Sequence, residues 1–152
     1  MKIELKNLKV AKFLSEETVA FTATLYVDGK KVGSVNNNGQ GGPNNICIDH
    51  SKYPGLQEKM EEYAASLPDV PSSVGPLKMD LDFHISLLVE QQEDANFWKR
   101  KLKKAVYFRL KDQSYKESEW LMIKAVFSPM VENHLIAKYG NNLGEILNKR
   151  YA

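Results

Sequence analysis

The chain has 152 residues and a formal net charge of +2, from 21 Lys and Arg against 19 Asp and Glu, with 43% hydrophobic residues and one cysteine. A single thiol excludes an internal disulfide framework and favours a reducing compartment, which indicates the cytoplasm. The near-neutral charge argues against indiscriminate nucleic-acid binding, because generic DNA-binding domains are basic overall.

The length fits one domain over residues 1–152 that folds without disulfides or metals. No apolar run approaches the roughly 20 residues of a membrane span. The N-terminus alternates charged and apolar residues where a signal peptide has an unbroken apolar core. We therefore expect no membrane association.

The first strand shows alternation in two phases. Ile3 and Leu5 follow one phase, whereas Leu8 and Val10 follow a phase shifted by one residue. A β-bulge near Asn7 reconciles the two phases, so we predict one strand with a bulge at that position.

A β-hairpin follows, with two β-rich runs on either side of Asp28-Gly29. This dipeptide favours a two-residue primed turn, because both central positions need positive φ. The turn predicts that Leu25 faces Val32 and that Tyr26 faces Lys31 across the ladder. The predicted strands cover residues 19–27 and 30–35.

The middle of the chain is predicted to be helical. Residues 36–45 hold five Asn, three Gly and one Pro, which indicates a loop. Apolar residues at helical spacing predict a short helix over 54–67 and a longer one over 80–105, joined by the Pro-rich segment 69–78.

The remainder predicts strands over 106–110 and 120–127, and then a helix that Ser128-Pro129 opens and Gly140 closes. The segment 143–147 fits either a strand or a helical turn. The fold class is therefore α+β, with an antiparallel sheet and helices packed on one face. The predicted element order is β-β-β-α-α-β-β-α, and a terminal strand is added to it if 143–147 is a strand.

The glycine-rich loop is the first candidate site. Gly39, Gly41 and Gly42 follow a strand, as a phosphate-binding loop does, but the Rossmann and P-loop signatures are incomplete. Two interpretations stay open. The loop is either a flexible connection, or an anion-binding nest formed by its backbone N–H groups.

Metal and nucleophile chemistry has little support in the sequence. Cys47 and His50 are three residues apart, but a metal site needs three or four ligands, so no metal or cofactor is predicted. Asp80, Asp82 and His84 lie at a predicted helix start, where acids complement the helix dipole. Because acidic residues can also bind a metal ion, this cluster leaves a metal-dependent nucleic-acid enzyme as a third hypothesis.

The charge distribution is more informative than the net charge. Residues 57–94 hold nine acids and two lysines, a net of −7, whereas residues 97–111 hold seven basic residues and no acid. We name five of the latter the basic block: Lys99, Arg100, Lys101, Lys103 and Lys104. Arg109 and Lys111 continue it on the next strand. Such a patch binds phosphates, an acidic protein face, or the chain's own acidic helix around Glu58–Glu62.

Aromatic residues accompany the basic block. Phe97, Trp98, Tyr107 and Phe108 invite stacking with single-stranded nucleic acid. For Trp98, packing in the core is the better interpretation, because large aromatic side chains contribute most of the buried area.

Three blocks of sequence carry a resemblance. They are LYVDGKKVG running into NGQGG (residues 25–33 and 38–42), FRLK with YKE and EW (108–111, 115–117 and 119–120), and KYG with ILN (138–140 and 146–148). Together they resemble small uncharacterised proteins of bacteriophage and bacterial mobile-element genomes. The resemblance implies no activity or catalytic motif. It implies a setting in which small proteins bind a host protein or sequester a nucleotide.

The leading hypothesis is a non-enzymatic, phage-like or accessory binding protein. It engages a host protein or other macromolecule through Lys99, Arg100, Lys103, Lys104 and Arg109, with a contribution from Gly39, Gly41 and Gly42. The alternative is a protein that binds or sequesters a nucleotide or small anion. Nucleic acid remains an open partner, as does a second copy of the chain in a homo-oligomer.

Overall fold

The computed structural model describes residues 1–151. Its backbone contacts form two compact units, of which the first is Met1–Gln92 and the second begins at Glu93. The expectation of a single domain over residues 1–152 stays a prediction.

Antiparallel strands and helices occur in both units, which confirms the predicted α+β class. The strands of residues 1–151 are β1 (Ile3–Val10), β2 (Phe21–Val27), β3 (Lys30–Asn37), β4 (Asn45–Ile48), β5 (Val106–Leu110), β6 (Leu121–Ile123) and β7 (Leu143–Ile146). The helices in the same range are α1 (Leu56–Ala65), α2 (Leu81–Leu102), α3 (Pro129–Tyr139) and α4 (Leu147–Arg150). The predicted single sheet is corrected to two, with strand orders β1-β2-β3-β4 and β6-β5-β7, because each set of strands forms its own apolar cluster.

The first strand contains the predicted bulge. Its register against β2 shifts between Lys6 and Lys9. Asn7 lies in this interruption with a φ of 54°, a left-handed conformation in which asparagine is enriched. The shift lets Leu8 and Val10 pack against the core that the first half of the strand already joins.

The β2–β3 hairpin has the predicted turn. Asp28 and Gly29 have φ values of 50° and 81°, as a primed two-residue turn requires. Tyr26 lies opposite Lys31, as predicted. The dipeptide therefore sets the register of the residues next to it.

One predicted pair of this hairpin is wrong. Leu25 pairs with Gly33 and not with Val32, because the register shifts immediately after Leu25. The shift allows Val32 and Val35 both to be buried, whereas strict alternation puts residues three apart on opposite faces. A Cβ atom at Gly33 would lie 1.9 Å from the carbonyl oxygen of Cys47 in β4, so glycine permits the close approach of these strands.

The loop predicted over residues 36–45 is shorter than expected. β3 continues to Asn37 and β4 begins at Asn45. Asn is depleted in strands, but the pairing of Asn36 with Asn45 forms a ladder that local sequence does not reveal. The loop itself therefore covers residues 38–44.

The core of the first unit combines its sheet with two helical segments. Met60 and Ala64 of α1 are buried in it, and so are Leu81, Ile85 and Val89 of α2. Their spacing of four residues confirms the helical periodicity predicted from the sequence. The longest helix, α2, has 22 residues, and no helix within residues 1–151 is long and apolar enough to cross a membrane.

The second unit packs α3 against its three-stranded sheet. Leu135 of α3 and Phe108 of β5 are buried in the same cluster. Ser128 caps the helix as predicted, because its hydroxyl accepts a hydrogen bond from the Val131 N–H at 3.3 Å, and Gly140 ends it. The undecided terminal segment forms β7, and one helical turn, α4, follows it.

Candidate binding surface

Gly39 is buried in the first unit, where it fixes the connection between β1 and β2. Its carbonyl oxygen accepts hydrogen bonds, at 3.1, 2.9 and 3.3 Å, from the N–H groups of Glu16, Glu17 and Thr18. Its own N–H donates to Asn37 Oδ1 at 2.8 Å. The peptide groups of Gly39 are therefore occupied inside the fold, and its contact with a ligand stays a prediction.

The other two glycines of the loop, Gly41 and Gly42, are exposed, but each has a peptide group that is hydrogen-bonded within the fold. The Gly41 N–H donates to Thr18 Oγ1 at 3.4 Å, and the Gly42 carbonyl accepts a hydrogen bond from Asn37 Nδ2 at 3.1 Å. The Glu17 carboxylate adjoins Gly41, because its Oε2 lies 2.2 Å from where a Cβ atom would be. A carboxylate at this position repels an anion. The geometry thus favours a fixed connecting loop over an anion-binding nest.

The acids at the start of α2 have structural contacts. Asp80 Oδ1 accepts a hydrogen bond from the Phe83 N–H at 2.7 Å, which caps the helix. Asp82 Oδ1 accepts one from the Asn44 N–H, also at 2.7 Å, and this bond ties the loop to α2. Burial lowers the pKa of His84 below its ordinary value. Within residues 1–151, no group of three or more His, Cys, Asp or Glu side chains is placed to hold a metal ion.

The basic block lies at the C-terminal end of α2, in the second unit. Lys99, Arg100 and Lys101 occupy the last turn of the helix, and Lys103 and Lys104 follow directly. All five residues are exposed, and in the described part of the second unit none of them forms an ion pair. The helix dipole stabilises cations at this end by about 0.3–1 kcal/mol each, but it does not neutralise their charge.

Arg109 differs from the basic block because its guanidinium is engaged within the unit. Nε donates to the Glu119 carbonyl at 2.9 Å, and Nη2 donates to the carbonyls of Lys116 and Glu117 at 2.9 and 2.7 Å. The guanidinium carbon also lies 3.8 Å from the ring centroid of Trp120, a cation–π contact. Arg109 therefore organises the β5–β6 loop, and its role in the binding patch stays a prediction.

An aromatic cluster lies next to the basic block in the sequence and in the second unit. Trp98 makes edge-to-face contacts with Phe97, Tyr107 and Trp120, at centroid distances of 5.3, 5.2 and 6.4 Å. This geometry stabilises aromatic pairs beyond the area they bury. Trp98 is half-buried and lies outside both apolar cores, so it packs in this aromatic cluster and not in the core predicted for it. Phe97 is the outer member of the cluster, with 41% of its surface exposed.

Asn148 has a structural role that the sequence did not reveal. It is a buried polar residue, and its Oδ1 accepts a hydrogen bond from the Tyr107 N–H at 3.0 Å. Its Nδ2 donates to the carbonyls of Leu102 and Ala105 at 3.3 and 3.0 Å. The side chain thus fixes the end of α2, and with it the basic block, to β5. No local pattern around residue 148 signals this contact, because its partners lie more than 40 residues away.

No protein-family model, curated protein or solved structure matches this chain. The resemblance to phage and mobile-element proteins therefore stays a prediction.

Proposed function

We propose that this chain is a non-enzymatic binding protein that engages an anionic face of a macromolecule through the basic block. The observation that carries the proposal is the group of five exposed cations without a carboxylate partner in the described part of the second unit. Such cations form charge-assisted hydrogen bonds with phosphate or carboxylate groups of a partner.

The spacing of the block favours an extended partner over a small anion. Lys99 and Lys103 are four residues apart, as are Arg100 and Lys104, and residues at this spacing are neighbours on a helical turn. One exposed ion pair contributes only about 0–1 kcal/mol. Several contacts with a repeating anion are therefore needed for useful affinity.

The alternative, a nucleotide or small-anion binder built on the glycine loop, has weaker support. The Gly39 and Gly41 N–H groups donate to Asn37 and Thr18, so a bound phosphate would have to displace these acceptors. The third hypothesis, a metal-dependent enzyme, loses support because Asp80 and Asp82 act as helix cap and loop acceptor.

Pairing of the block with the acidic α1, in the same chain or in a second copy, is a competing prediction. Glu58, Glu61 and Glu62 are exposed on that helix. Such pairing masks the block from other polyanions at low salt and releases it as salt screens the ion pairs.

The proposed setting is the cytoplasm, with a host protein or another macromolecule of anionic surface as the partner. The exposed free thiol of Cys47 supports a reducing compartment. The phage-like context follows from the sequence resemblance alone.

The test replaces four cations of the block by Glu, at Lys99, Arg100, Lys103 and Lys104. A matched control makes the same change at four exposed lysines of the first unit: Lys9, Lys12, Lys30 and Lys31. Binding of fluorescent poly-glutamate and of a fluorescent 15-nucleotide dT oligomer is measured by anisotropy between 20 and 300 mM salt.

We expect the block variant to lose binding of at least one polyanion by tenfold or more, and the control variant to lose clearly less. Circular dichroism establishes that both variants are folded. Binding of neither probe by the wild-type chain at any salt concentration contradicts the proposal. An equal loss in the two variants contradicts it as well, because net charge alone then explains binding.

A further inference from the structure

Phe97 is an aromatic residue exposed among cations. It lies on α2 three and four residues before Arg100 and Lys101, so the three side chains share one face of the helix. Lys104 continues that face, because hydrogen bonds from the N–H groups of Lys104 and Ala105 to the Lys101 carbonyl, at 3.1 and 3.2 Å, prolong the helical turn. The face therefore presents one aromatic ring beside three positive charges.

The Phe97 ring is held from within the unit. Trp98 contacts it edge-on at 5.3 Å with an interplanar angle of 80°, and Trp98 is itself packed against Tyr107 and Trp120. The Nζ of Lys101 lies over the Phe97 ring, 5.5 Å from its centroid, so a base that stacks on this face takes the place of the ammonium group. The ring is thus supported on the inside, while 41% of its surface remains open to a ligand.

We infer that the partner of the basic block is single-stranded nucleic acid, with a base stacked on Phe97 and the neighbouring phosphates bound by Arg100, Lys101 and Lys104. This inference rests on the proposed function and names the class of its partner. An acidic protein face satisfies the cations, but its carboxylates offer no planar base that stacks on the aromatic ring. Duplex DNA satisfies the cations too, but its bases are already stacked on each other. Single strands use both features, because base–aromatic stacking and phosphate contacts combine in their recognition.

The experiment separates the base from the phosphate. Three fluorescent probes are titrated at one salt concentration: a dT 15-mer, a 15-mer of abasic sites with the same phosphates, and a 15-base-pair duplex. The protein variants are Phe97→Ala, Phe97→Trp and the fourfold Glu variant of the block. Phe13→Ala is the matched control, since Phe13 is an exposed phenylalanine of the first unit.

Stacking of one base predicts that the wild-type chain binds dT roughly 5- to 150-fold more tightly than the abasic probe. Phe97→Ala abolishes this preference without changing abasic binding, Phe97→Trp keeps it, and Phe13→Ala has no effect. The block variant weakens binding of both probes.

Two failures are distinguishable. If the block variant weakens binding but Phe97→Ala leaves the ratio of dT to abasic affinity unchanged, the inference is overturned and the proposed function stands. Binding of the duplex or of poly-glutamate as tight as that of dT overturns the inference in the same way. If the block variant binds every probe as the wild type does, the proposed function itself fails.

Discussion

Truncation of Asn148 to alanine is expected to destabilise the second unit strongly. The change removes the acceptor of the Tyr107 N–H and the donor to the Leu102 and Ala105 carbonyls. Leaving one buried polar group unsatisfied costs about 1–3 kcal/mol. Three groups lose a partner, one at a buried and two at partly buried positions, so we expect a loss of about 3 kcal/mol in the free energy of unfolding.

Tryptophan fluorescence provides a direct assay for this unit. The chain has two tryptophans, Trp98 and Trp120, and both belong to the second unit. With a slope of about 1.5 kcal/mol per molar urea, a loss of about 3 kcal/mol lowers the urea midpoint of the fluorescence transition by about 2 M. Asn133→Ala, at an exposed asparagine of the same unit, is the control and is expected to stay within about 0.5 kcal/mol of wild type. A midpoint for Asn148→Ala as close to wild type as that of the control contradicts the stabilising role of the Asn148 side chain.

Three further outcomes follow from local contacts. Gly33→Ala is expected to destabilise the first unit by about 1–3 kcal/mol or more, because the new Cβ meets the Cys47 carbonyl. The assay is the urea midpoint measured by circular dichroism. Gly42→Ala is the control and leaves this midpoint unchanged, because nothing lies within 4 Å of its new Cβ. Burial lowers the pKa of His84 below 6.5, so the unfolded chain binds a proton first as pH falls, and stability declines from about pH 6.5 down to the folded-state pKa. The free energy of unfolding of wild type minus that of His84→Gln is therefore larger at pH 7.5 than at pH 5. Equal values of this difference at the two pH values contradict the prediction. Arg109→Lys keeps the charge but loses the carbonyl contacts, so we expect limited proteolysis to cleave the loop after β5 faster. The affinity for dT is expected to change less than twofold. A large loss of dT affinity instead assigns Arg109 to the binding surface.

Local sequence patterns predicted the structure correctly where it depends on residues that are neighbours in the sequence. The Asp28-Gly29 turn, the bulge at Asn7 and the Ser128 cap all have the predicted geometry. Each depends on backbone preferences within about four residues, so the sequence carries the whole signal.

Elements that depend on distant contacts were not predictable in the same way. β4 contains an unfavourable asparagine and forms by pairing with β3. The division into two sheets, the engaged donors of Gly39 and the clamp made by Arg109 all depend on partners that only the fold brings together. The basic block was visible in the sequence because charge segregation along one helix end needs no tertiary information.

The salt dependence of dT binding shows whether the basic block binds polyanions. The logarithm of the affinity falls with the logarithm of salt concentration by about 0.7 for each phosphate contact on a single strand. We expect a measurable negative slope for wild type and a similar slope for the first-unit control. For the variant with Glu at Lys99, Arg100, Lys103 and Lys104, we expect a slope nearer zero by at least about 1.4, because Arg100 and Lys104 each lose a phosphate contact. Equal slopes and equal affinities for wild type and the block variant would contradict the assignment of this surface to polyanion binding.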